Sequence, residues 1–141
     1  MRWSVVILAM ALSVGTVRAA EIVDVKSPGG VTAWLIEDHT LPLVAVDFQF
    51  EGGSALDPPG LEGRANLVMN LLDEGAGELD SHTFKTRVED LSVRLDFEGS
   101  YDAVGGTMRT LSANADQAFD LLRLSLTSPR FDRDAVERVK T

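Results

Sequence analysis

The residues of this chain best placed to do chemistry lie on one predicted helical turn. Asn66 and Asn70 stand four residues apart, with Met69 between them. On a helix, positions i and i+4 share a face. That geometry can build a zinc hydrolase site, with two histidines as ligands and a glutamate between them as general base. Here the same positions hold two neutral amides and a thioether. An amide is a poor substitute for the imidazole, thiolate or carboxylate that catalytic zinc takes, and methionine has no proton to give or accept. With no metal to lower the pKa of a bound water and no carboxylate to receive its proton, the turn lacks both nucleophile and base for peptide hydrolysis.

The element that must position these residues runs from Gly63 to Gly75. Leu61, Ala65, Val68 and Leu72 follow the 3.6-residue period, and Leu67, Met69 and Leu71 widen the apolar stripe, which predicts a central, buried helix. Gly75 and Gly77 suit a left-handed C-cap. Gly52-Gly53-Ser54 and Asp57-Pro58-Pro59-Gly60 mark the entry loop. Upstream, alternation predicts strands at 22–26, 32–37 and 43–51, joined as an antiparallel meander with one wet face. Downstream, Asp80 or Ser81 caps a helix running to Leu91, with Phe84, Val88 and Leu91 on one face. Two strands follow at 92–98 and 100–109 with a turn at Gly99, and Gly105-Gly106 marks a bulge or a close backbone approach. A helix over 114–125 ends at Pro129, and Phe131-Asp132 opens a last one through Ala135, Val136 and Val139. Strands, two helices, strands and two helices in that order predict an α+β fold, a largely antiparallel sheet with helices packed on one face.

The flanks of the turn also carry a resemblance. The strand pair Thr32 to Asp38 and Leu43 to Phe50, then Gly52-Gly53-Ser54-Ala55, Asp57-Pro58-Pro59-Gly60 and Gly63-Arg64-Ala65, resemble the N-terminal part of the pitrilysin and insulinase zinc metallopeptidases, which include the mitochondrial processing peptidase. In active members the next residues read H-x-x-E-H. The first histidine falls on Asn66, the glutamate on Met69 and the second histidine on Asn70, so the resemblance implies a catalytically degenerate member with no catalytic, cofactor-binding or metal-binding residue of its own. Active relatives take a third ligand, a glutamate, from the helix after an F-x-x-x-x-[VIL]-E-R start. Phe131 to Arg138 resembles that start, and Thr141 ends the sequence before the ligand position. The expectation is therefore the N-terminal part of one family domain over 20–141, truncated at its C-terminus.

In function, the resemblance implies a non-catalytic subunit that pairs with an active zinc peptidase of the same family and helps enclose peptide substrate. Zinc is then expected only in the active partner. The alternatives are an active zinc metalloendopeptidase with unrecognised ligands, or a nonfunctional truncated remnant. His39 and His82, the only histidines, fall in different segments, and His39 lies in a turn with no ligand-type neighbour. Asp73 and Glu74 with His82 lack ligand spacing, and read as a solvated acidic turn. Ser54, Ser81 and Ser100 have no histidine at a recognisable motif.

Residues 1–19 read as a secretory signal: Arg2, an apolar run from Trp3 to Val14, and small residues at Val17-Arg18-Ala19 before the cut. That run is too short for a membrane span. Export across the inner membrane to the periplasm is the expected localisation. A formal charge of −9, more acidic once Arg2 and Arg18 leave, argues against nucleic acid and against anionic lipid surfaces. The absence of cysteine excludes thiolate chemistry and Cys-based metal sites.

Overall fold

The computed structural model describes residues 21–140; the expected signal segment lies outside them. The chain divides into two units, 1–40 and 41–141. In the first, β1 (Ile22–Lys26) and β2 (Thr32–Ile36) form an antiparallel hairpin with Ile22 opposite Ile36 and Lys26 opposite Thr32. The register puts Val23, Val25, Ala33 and Leu35 on one face and Ile22, Trp34 and Ile36 on the other, the alternation expected of both strands.

The second unit is α+β, as its element order predicts. Its sheet has the order β3-β5-β4, antiparallel throughout, from β3 (Leu43–Glu51), β4 (Arg94–Gly99) and β5 (Ala103–Leu111). The expected three-strand meander is not formed: β3 pairs along its whole length with β5, Leu43 to Leu111 and Glu51 to Ala103. Both strands are nine residues long, so this pairing leaves no residue of either unmatched. The turn between β4 and β5 also falls later than expected. Gly99 ends β4, and Ser100 makes the turn, its N–H reaching the Ala103 carbonyl (2.7 Å) and its Oγ accepting from the Ala103 N–H (3.1 Å).

Opposed residues share a face, so Val46, Met108 and Leu95 form one inward row and Phe48, Gly106 and Phe97 the next. Gly106 is glycine because both of its neighbours are crowded. A Cβ there would collide with the Asp96 carbonyl and press on the Phe48 and Phe97 rings, which meet edge to face at 6.3 Å. This is the close approach expected of the glycine pair; the register runs through it without a bulge.

Helix α2 (Ser81–Asp90) starts where expected, the Asp80 carboxylate accepting from the Thr83 N–H at 2.8 Å. It buries Phe84, and with α3 (Ala115–Thr127), which buries Ala118, Leu121 and Leu122, it closes the core over Met108. Asn114 precedes α3 but does not cap it; its amide donates to the Leu91 carbonyl at 2.8 Å and ties the helix to the end of α2. Helix α4 (Arg133–Val139) buries Ala135. The greatest departure is α1 (Arg64–Met69), six residues in place of the long central helix. Of the predicted stripe, Leu61 is exposed and outside the helix, Ala65 and Val68 are half-buried, and only Leu71 and Leu72, beyond its end, are buried. Gly75 and Gly77 do adopt positive φ (117° and 56°), but the helix has already ended at Asn70.

Candidate functional site

The start of α1 is fixed from the preceding loop. Gly63, with φ of 88°, turns the chain in a conformation a side chain would strain, and the Asp57 carboxylate accepts from the Gly63 N–H (2.8 Å) and the Ala65 N–H (2.9 Å). Two of the helix's unpaired first-turn donors are thereby satisfied from six and eight residues upstream. The end is fixed by Asn70, whose backbone N–H donates to the Asn66 carbonyl at 3.0 Å. Asn66 and Asn70 therefore stand one turn apart, both exposed, with Met69 half-buried beside them, as the spacing predicted. Neither amide side chain makes a hydrogen bond among the described residues.

Beneath this turn lies the end of β4. A Cβ on Gly99 would stand 2.8 Å from Asn66 Oδ1 and 3.4 Å from Met69 Cγ, so the missing side chain is what admits both residues. A cleft of about 420 Å³ opens beside Met69 and Asn70, which line it with Asp73 on one side, while Leu95, Asp96 and Phe97 line the other. Three successive strand residues point alternately to the two faces of a sheet. The cleft therefore follows the edge of β4, the strand that ends the sheet on this side. Asn70 and Val139 also line a second hollow, which continues past Leu61, Arg64 and Leu67.

A second polar cluster was not legible in the sequence. Glu74 is buried, 8% exposed, and accepts hydrogen bonds from Ser81 Oγ (2.6 Å), Lys85 Nζ (2.6 Å) and the Arg138 guanidinium. Burial alone would raise its pKa, but the bonds from Lys85, Ser81 and Arg138 outweigh that and hold the carboxyl at about 2. The reading of Asp73-Glu74 as a solvated acidic turn is thus corrected for Glu74, which joins the segment after α1 to α2 and α4. Asp73, half-buried, is pushed up: burial comes first, and the Glu74 charge adds to it against the attraction of Lys85. Ser81 and Lys85, four apart on a helix, were the only local hint of this cluster; Arg138 lies 64 residues from Glu74.

The remaining sequence candidates do not converge. His82 is exposed on α2, and His39 stands 3.8 Å from Glu37 in the first unit. Ser81 is held by Glu74, and Ser54 Oγ donates to the Ser100 carbonyl at 3.4 Å. Among the described residues no three His, Cys, Asp or Glu side chains gather in a metal-binding group. The donor set at 66, 69 and 70 does not fit zinc. No described helix is long and apolar enough to cross a membrane.

Comparison with known proteins bears on the family and the fold. Residues 32–141 match the model of the insulinase family, peptidase family M16. A Helicobacter pylori protein named non-peptidase homolog YmxG is 32% identical over 105 residues, which cover 74% of this chain and 24% of that protein. The chain thus spans about a quarter of this relative's length. Among solved structures, the crystal structure of a peptidase M16 inactive domain from Pseudomonas fluorescens superposes with a TM-score of 0.78 at 24% identity, covering 85% of this chain and 29% of that one. A Helicobacter pylori protease superposes at 0.71 and 19% identity, over 86% of this chain and 29% of its own. At these identities the two structures speak for the fold alone.

Proposed function

Since the chain belongs to the insulinase family of peptidases, M16, as a member degenerate at its metal-site positions, we propose that it serves as a non-catalytic subunit beside an active zinc peptidase of the same family. In that role it helps enclose a peptide substrate. The observation that carries this reading is the occupancy of one helical turn by Asn66, Met69 and Asn70, next to an open cleft and to β4, the end strand of the sheet among the described residues. Chemistry is lost from the turn while the surface that would hold a peptide is kept. An extended segment can add to the edge of β4 through main-chain hydrogen bonds, which need no particular side chains. The zinc and the general base belong to the partner. The YmxG protein, a non-peptidase homolog by name, supports the same reading. We place the mature subunit in the periplasm.

Affinity purification of the tagged chain from its native host tests the pairing. The expected result is a co-purifying family member with intact H-x-x-E-H, and chelator-sensitive peptidase activity that follows that partner. The purified chain alone is expected to hold no stoichiometric zinc and to cleave no peptide. One tightly held zinc per chain, lost together with activity on chelation, would favour an active peptidase with other ligands and overturn the proposal.

A further inference from the structure

Asn66 and Asn70 lost one chemistry at this turn, and the structure points to another. Each carries a carbonyl acceptor and an NH2 donor, the same pair that a peptide group offers in reverse. Neither side chain makes a hydrogen bond among the described residues; Asn70 lines the cleft, and Asn66 stands one turn away beside Gly99, at the end of β4. Asparagine is not favoured inside a helix, where its side chain competes with the backbone. Asn66 sits inside a six-residue helix, does not cap it, and is accommodated by a glycine on the facing strand.

The spacing fits one kind of occupant. Side chains four apart on a helix project about 5–6 Å from one another. Peptide groups that face the same edge of an extended chain repeat every two residues, at roughly 6.5–7 Å. The short, rotatable amide arms can close a difference of about 1 Å. An extended segment in the cleft has two edges, one turned to β4 and one to α1. We infer that Asn66 and Asn70 form a two-rung amide ladder that hydrogen-bonds the main chain of an extended peptide along β4. This inference rests on the peptide-enclosing role proposed above and gives that role its selectivity: the backbone is read, and side chains are tolerated. Met69, flexible and unbranched, supplies an adaptable apolar floor between the rungs.

The test uses the intact protein, its Asn66→Ala/Asn70→Ala variant, and two uncharged synthetic peptides of roughly nine residues, long enough to follow the strand edge but unrelated in sequence. Binding is read by calorimetry. Two neutral hydrogen bonds predict that the double variant binds both peptides about ten- to thirtyfold more weakly. Its thermal midpoint should stay near that of the parent, because both side chains are exposed and unbonded. Equal affinity of parent and variant would overturn the ladder and leave the peptide-enclosing role standing. A loss confined to one of the two peptides would overturn it in favour of side-chain reading. If the parent binds neither peptide, the ladder and the role it rests on both fall.

Discussion

At the scale of single residues, Glu74 is the group whose environment most changes its chemistry. Removing the charge from a buried carboxylate leaves its cations unanswered, and such losses cost about 3–5 kcal/mol when the whole pair is buried. Lys85 and Arg138 are about half exposed (47% and 52%), so water takes up part of the loss. Glu74→Gln is expected to lower unfolding free energy at pH 7 by roughly 2–3 kcal/mol, read from denaturant titration. The sign with pH follows from the folded-state value of about 2, which lies below the ordinary 4.5. The stabilisation from Glu74 is complete above the higher value and is lost as pH falls toward the lower one. The gap between parent and variant should therefore close on acidification through that window. Asp73 acts in the opposite sense: its raised pKa means that the folded state takes up its proton first, which relieves the cost of burial as the solution becomes acidic. A gap that persists unchanged to the acid end would show that Glu74 is not ionised in the way described.

At the scale of elements, two positions carry most of the local geometry. Asp57→Ala should loosen the first turn of α1 by about 1 kcal/mol, seen as faster amide exchange at Gly63 and Ala65 and not at α3. Gly106→Ala forces a methyl against a neighbouring strand's carbonyl and should cost roughly 1–3 kcal/mol, read as a lowered melting temperature. The sequence carried α2, α3 and the strands well, because each has an alternation or a helical stripe that its tertiary partners reinforce. Asp80 as a cap and Phe84, Leu121 and Leu122 as core were visible for the same reason. The stripe through α1 misled because Ala76 bridges to Leu79 and Pro129, and these pairings draw 71–77 out of the helix and into the core. The meander failed on a long-range preference: adjacent strands pair more often than not, but β5 matched β3 residue for residue. The site itself was half legible. The spacing of Asn66, Met69 and Asn70 could be read directly, while the Gly99 beneath them and the Glu74 cluster beyond them depend on contacts no local pattern encodes.

At the scale of the whole molecule, acidity and an exposed edge strand together bear on what the protein meets. A formal charge of −9 makes nonspecific binding to nucleic acid weak, so a gel-shift assay with duplex DNA at physiological salt should show none. Fractionation of the native host should place the mature chain with periplasmic markers, and recovery with the cytoplasm would remove export from the account. The Glu74 cluster also has a temporal side. A chain made from its N-terminus presents Glu74, Ser81 and Lys85 to one another before Arg138 exists, so the carboxylate first meets only one of its two cations. The arrival of α4 completes the set. Docking of that helix thus follows the making of α2, and the wall that Val139 gives to the cleft is raised after the two sides that precede it in the chain.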